Sequence, residues 1–195
     1  MISLEQEIKQ YFTKNNISFD DHSSSLKLLD FGFGDRESKR YFSFDAKEKC
    51  EPYQIKNWRQ AKIPEKHLFI LDDLAARKIL IFAPNSGLVV RDNIHKSYHL
   101  FTIVDLFLMP KLRVNRQINR QVQTLKGKWL IDLRHGLHCQ SLPDVFQAIE
   151  SYLDDRENIF TNTLKCYGEY YGEPINRDGT TRIPKYWDKD YDRTR

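Results

Sequence analysis

The chain has little of what builds a covalently stapled or membrane-spanning protein. Its three cysteines, Cys50, Cys139 and Cys166, are odd in number and widely spaced, which excludes a disulfide framework and fits a reducing compartment. No stretch approaches the ~18 apolar residues that span a bilayer, and the start "MISLEQEIKQ" lacks a basic region followed by an apolar run. The expectation is a cytoplasmic protein with no membrane partner. Glycine-rich phosphate loops are missing as well. "GFGDRE" carries Gly32 and Gly34 without a third glycine and enters a turn, so a dinucleotide fingerprint fails, and Gly127 in "GKW" lacks the rest of a P-loop. Ser86 has no nucleophile-elbow pattern around it.

What is present is enough apolar material for a core. Hydrophobic residues make up 40% of the 195 residues and aromatics 13%, which argues for a folded globule rather than a disordered chain. One domain over 1–167 is expected, followed by a 168–195 extension rich in Gly, Pro, Tyr, Asp and Arg without apolar periodicity. That extension reads as irregular, packed on the domain or partly disordered. The net charge of +4 is unevenly placed: residues 110–128 hold six basic side chains and no acid, and removing those six leaves −2.

Residues 3–15 read as a helix with Ser3 at the N-cap, Gln6 at the capping-box position and an apolar stripe of Leu4, Ile8, Tyr11 and Phe12. Strands are expected at 26–33, 41–47, 67–71, 78–82, 88–91 and 129–133, whereas 98–109 is ambiguous between strand and helix. Over 114–125 the apolar Val114, Ile118, Val122 and Leu125 share one helical face, with Arg113, Arg116 and Arg120 roughly opposite. Ser141 and Pro143 open a further helix through residue 153. The order of elements implies a mixed α/β sheet with helices packed on it.

The chemistry concentrates in the first hairpin. In "RYFSFDAKEK" a strand's period of two puts Phe42, Phe44 and Ala46 on one face and Ser43, Asp45, Lys47 and Lys49 on the other. A turn centred between Arg36 and Glu37 would set Asp30 opposite Ser43 and diagonal to Asp45, ~7–8 Å away. Two carboxylates at that range can share one hard cation such as Mg²⁺, which takes oxygen ligands at ~2.0–2.1 Å. The cation would acidify water and polarise a phosphoryl oxygen, and Lys47 would hold the water or neutralise charge on the phosphate. The plainer reading is an antiparallel sheet with one solvated face.

"LLDFGF" followed by "RYFSFDAKEK" resembles the paired motif of the PD-(D/E)xK nuclease superfamily, which includes restriction endonucleases and archaeal Holliday junction resolvases. Asp30 takes the first acidic position, and Asp45 with Lys47 takes the (D/E)xK position. The tripeptide also occurs at Glu7-Ile8-Lys9 and Glu37-Ser38-Lys39, but only the third copy ends an aromatic strand that follows an acid-bearing one. The resemblance covers about the first fifty or sixty residues. It implies an α/β restriction-endonuclease-like mixed sheet flanked by helices and a Mg²⁺- or Mn²⁺-dependent deoxyribonuclease acting on DNA. The metal ligands would be Asp30, Asp45 and a helical glutamate, Glu5 or alternatively Glu7, and Lys47 would assist the water. It also makes a homodimer an expectation. A module that keeps the fold and binds nucleic acid or assembles without turnover is the alternative, and a purely structural interaction protein is a third.

Around this motif, Gln54 in "EPYQIKNW" is a candidate helper near the scissile phosphate and Lys49 a candidate phosphate contact. Arg113, Arg116 and Arg120 would form a row along the DNA backbone, where neutralised phosphates release counterions. "RHGLHC" places His135, His138 and Cys139 together, with Cys166 a candidate fourth zinc ligand, but no C-x-x-C partner exists elsewhere, and a polar loop is expected there.

Overall fold

A computed structural model of the chain describes residues 2–58, 60–119 and 122–158. The 168–195 extension, Arg120 and Cys166 lie outside the described residues. Two compact units are distinguished, Met1–Ile149 and Glu150–Arg195, and the packing and contacts described below are those of the first.

The chain opens with α1 (Leu4–Lys14), capped as its sequence predicts: Ser3 Oγ accepts from the Gln6 N–H at 3.2 Å and Gln6 Oε1 from the Ser3 N–H at 3.2 Å. Three strands follow, β1 (Phe19–Asp21), β2 (Phe31–Phe33) and β3 (Phe42–Lys49). Next come β4 (Leu68–Asp72), α2 (Asp73–Ile81), β5 (Ser86–Asp92), β6 (Ser97–Thr102) and α3 (Ile103–Leu108). The remainder is β7 (Leu112–Asn119), β8 (Val122–Asp132), β9 (Leu137–Cys139) and α4 (Leu142–Asn158). Six strands form one sheet in the order β1-β2-β3-β5-β6-β9, and β4-β8-β7 form a second. β3 and β5 pair in parallel while the other pairs are antiparallel. The expected class, a mixed α/β sheet with flanking helices, is the one the chain adopts.

One parallel pair in the first sheet dictates much of the rest, because parallel neighbours need a long crossover. Here the crossover runs through β4 and α2, so α2 returns along β3 and β5. The opposite face of the sheet is aromatic. Phe12 of α1, Phe33, Phe44 and Phe146 of α4 pack ring against ring, with Phe12–Phe146 at 4.6 Å and Phe12–Phe33 at 5.2 Å between centroids. β3 therefore separates a dry aromatic face from a charged one facing α2.

Several expected elements change. Residues 78–82 are helical, not a strand: buried Asp73, Ala76 and Ile79 recur every three residues in α2, and the apolar "ILIF" is its C-terminal turn. The 26–33 strand shrinks to Phe31–Phe33, and a further short strand, Phe19–Asp21, pairs with it. Residues 98–109 divide into β6 and α3, the helix starting where Thr102 and Asp105 form a capping box. Residues 114–119 and 122–125 lie in the paired strands β7 and β8, not in an amphipathic helix. The bland loop expected at "RHGLHC" is a 3₁₀ turn followed by edge strand β9, which pairs with β6.

Candidate active site

The β2–β3 connection determines which side chains meet. Gly34 adopts φ +99°, where a Cβ would run into the Arg40 carbonyl. Asp35 then closes the loop, its carboxylate accepting the Glu37 and Ser38 N–H groups at 2.9 and 3.2 Å. The resulting register pairs Phe31 with Phe44 and Gly32 with Ser43. Continued by one residue, it sets Asp30 against Asp45 directly, rather than diagonally as a turn one residue earlier would have done.

Both carboxylates are buried, Asp30 6% and Asp45 1% exposed. Each is held by the backbone of the segment that bears the other: the Asp30 N–H donates to Asp45 Oδ1 at 3.3 Å and the Ala46 N–H to Asp30 Oδ2 at 2.9 Å. Two ammonium groups neutralise them. Lys47 Nζ lies 2.9 Å from Asp30 Oδ2, 3.1 Å from the Ala46 carbonyl oxygen and 3.4 Å from Asp45 Oδ2. Lys78 Nζ, from α2, lies 2.9 Å from Asp45 Oδ1 and 3.9 Å from Asp30 Oδ1. Burial alone would lower the Lys47 pKa, but the adjoining Asp45 and Asp30 carboxylates outweigh it and raise it above the ordinary lysine value. Lys47 is therefore a cation at neutral pH, able to neutralise an anion but not to take a proton from water.

Three oxygens thus converge on one cationic atom. Asp45 Oδ2 is buried, accepts no well-formed hydrogen bond among the described residues and is compensated by the Lys47 ammonium 3.4 Å away. The donor set of Asp30 Oδ2, Asp45 Oδ2 and the Ala46 carbonyl consists of hard oxygens and fits Mg²⁺ or Mn²⁺. It contains two carboxylates only. Among the described residues no group of three or more His, Cys, Asp or Glu side chains could hold a metal ion, so Glu5, half-buried on the first turn of α1, does not complete a triad. Glu7 is engaged elsewhere: its carboxylate accepts from Arg91 and from the Tyr98 hydroxyl, both at 2.5 Å, tying α1 to β5 and β6.

Other expected site residues have different surroundings. Lys49 shares the Asp45 face but its side chain is fully buried, and Nζ donates to the Lys66 carbonyl at 2.6 Å. The chain before β4 covers it, which removes it from any phosphate. Gln54 is exposed at the start of a 3₁₀ turn, where its carbonyl accepts from the Asn57 N–H at 2.9 Å. Arg113 and Arg116 lie three residues apart on a strand, hence on opposite faces, and form no row. Arg113 binds Asp73 at 2.9 Å, whereas Arg116 stacks 4.1 Å over the Trp58 ring and donates to the Asn57 carbonyl. Lys126 and Lys128 both pair with Asp72. Much of the basic segment is thus neutralised by the two acids at the β4–α2 junction.

Lys78 and the Ala46 carbonyl are the site members that sequence reasoning misses. The spacing of Ala76 and Ile79 marks the helix that carries Lys78, but nothing in its own neighbourhood marks it as a partner of Asp45, 33 positions away.

The sequence matches no protein-family model and no curated protein. Among solved structures, the chain is similar to a Holliday junction resolvase of the archaeal hyperthermophile Archaeoglobus fulgidus. Sequence identity is 12%, the match covers 68% of this chain and 93% of that one, and the TM-score is 0.39. No described helix is long and apolar enough to cross a membrane.

Proposed function

We propose that the chain is a metal-dependent endonuclease that hydrolyses phosphodiester bonds in DNA. One observation carries the reading: two buried carboxylates, Asp30 just before β2 and Asp45 on β3, and the Ala46 carbonyl converge on the ammonium of Lys47, two residues beyond the second acid. Asp30, Asp45 and the Ala46 carbonyl would hold Mg²⁺ or Mn²⁺. When bound, that ion supplies Lewis acidity toward a phosphoryl oxygen. The protein's own contributions are electrostatic and positional. Asp30 and Asp45 are fixed by main-chain hydrogen bonds before anything binds, which avoids reorganisation during reaction. Lys47, with a third of its side chain exposed, presents a persistent positive charge to a phosphate and holds water beside it.

The test is cleavage of plasmid and branched DNA by the purified chain with Mg²⁺ or Mn²⁺. Cutting that chelator stops, and that Asp45→Asn and Lys47→Met each lose, supports the reading. The alternative is a nucleic-acid-binding module without turnover. Binding unaffected by chelator, with no cutting by the wild-type chain, would select it.

A further inference from the structure

The carboxylate pair has two cationic edges, and they are not equivalent. Lys47 bridges the Oδ2 atoms of Asp30 and Asp45 from the same strand, with the Ala46 carbonyl as a third oxygen. Lys78 bridges the Oδ1 atoms from α2, with no third oxygen acceptor at its Nζ among the described residues. Their burial differs too: 35% of the Lys47 side chain is exposed, against 16% of Lys78. An arriving cation can therefore displace Lys47 outward to solvent, where its ammonium is rehydrated. Lys78 is packed under the crossover helix, and its charge has no comparable route away from Asp45.

We propose that Lys78 is a fixed counter-cation occupying the place a second metal ion would take, so that the site accepts one divalent cation on its Oδ2 edge. The inference rests on the metal-dependent reading above. Charge supports it: with Lys47 displaced, the two carboxylates, Lys78 and one divalent ion already sum to +1. A second would have to enter beside Lys78 with no carboxylate left to offset it. Lys78 is a positioning residue in this account, acting on the metal through Asp45 and Asp30.

The experiment measures Mn²⁺ stoichiometry and affinity by titration calorimetry, with metal-induced change in melting temperature as a second readout. Wild-type chain, Lys78→Met and Lys78→Arg are compared. The expected result is one ion for wild-type and Lys78→Arg. Lys78→Met should bind two, or bind its first on the order of tenfold more tightly, because a unit charge beside a part-buried divalent ion is strongly repulsive. Melting of the metal-free variants establishes that each is folded, and Lys78→Arg separates charge from packing. Unchanged stoichiometry and affinity in Lys78→Met, or two ions in wild-type, would overturn the inference while leaving the nuclease reading intact. No metal bound by wild-type would overturn both. One ion in wild-type and two in Lys78→Met, without any DNA cleavage, would overturn the nuclease reading alone.

Discussion

The Asp30 N–H donates to the carboxylate of Asp45 across the β2–β3 ladder while the Asp30 carboxylate accepts from the N–H of Ala46. Each acid is thereby oriented by the strand that bears the other, and both oxygens nearest Lys47 face one point. Replacing Asp45 by Asn keeps the shape, removes one charge and leaves Lys47 and Lys78 sharing the Asp30 carboxylate. Nuclease activity should fall by at least ~10²-fold, as for loss of a preorganised charge contact. The metal-induced rise in melting temperature should vanish with it. Because a buried charge pair is broken on one side, urea melts should also register a loss of about 3 kcal/mol. A variant that keeps full metal affinity would remove Asp45 from the site.

Arg113 makes a different prediction from the one its place in a basic segment invites. Its guanidinium bonds Asp73, which also receives the Trp129 indole at 2.8 Å and Arg77 at 2.8 Å. The Arg113 hydrogen bond is the largest influence and, with the Trp129 hydrogen bond and the nearby Arg113 and Arg77 charges, holds the Asp73 carboxyl at a pKa of about 2 against the opposing effect of burial. A depressed carboxylate stabilises the fold fully above its unfolded value near 4 and loses that contribution as pH falls toward 2. Arg113→Ala should therefore lower stability at pH 7 and flatten the acid limb of the stability profile. The salt dependence of DNA binding should be unaltered. A reduced salt slope would return Arg113 to the phosphate contacts.

How much of this could be read from the sequence depended on how local the determining contacts are. The α1 cap and the alternation that aligns Asp45 with Lys47 are short-range patterns, and both are visible in a dozen residues. The pairing of Asp30 with Asp45 was legible to within two positions, because Gly34 and Asp35 mark a turn without giving its length. The arginine stripe failed for a physical reason: an apolar residue every four positions fits a helix, but the hairpin pairs β7 with β8 in the β4-β8-β7 sheet, and Val114 packs on the Trp58–Leu68–Leu130 cluster. Tertiary pairing outweighed periodicity. Lys49 shows the complementary limit, since alternation gives the face but not what covers it.

Gly34 offers a test of whether register controls the site. Its φ of +99° and the nearby Arg40 carbonyl leave no room for a side chain. Gly34→Ala should cost about 1–3 kcal/mol, the range for a residue forced into such backbone. If the loop relaxes by shifting the ladder one residue, every β2 side chain changes face and Asp30 leaves Asp45. The expected signature is a loss of metal-induced stabilisation larger than the loss of global stability would explain. Metal binding equal to wild-type in a folded Gly34→Ala chain would show that the site tolerates another connection.

His99 supplies a pH dependence with a determinate sign. It lies on β6 opposite Val90 of β5 and His138 of β9, 7% exposed, with Nδ1 buried and lacking a hydrogen bond among the described residues. Desolvation, helped by the His138 ring at 5.3 Å and by Lys49, lowers its pKa to about 4, while Asp92 and the Leu133 carbonyl pull weakly the other way. The unfolded chain, with an ordinary value of 6.5, binds the proton first. Stability is therefore unaffected above about pH 6.5 and declines as pH falls toward about 4. With about 1.4 kcal/mol per unit, the decline amounts to roughly 2–3 kcal/mol by pH 4.5. His99→Gln removes the titrating group, so urea unfolding at pH 7 and pH 4.5 should show a smaller difference for the variant by about that amount. Parallel profiles for the two proteins would mean that the His99 ring is protonated in the fold at the lower pH, and that Asp92 rather than desolvation governs it.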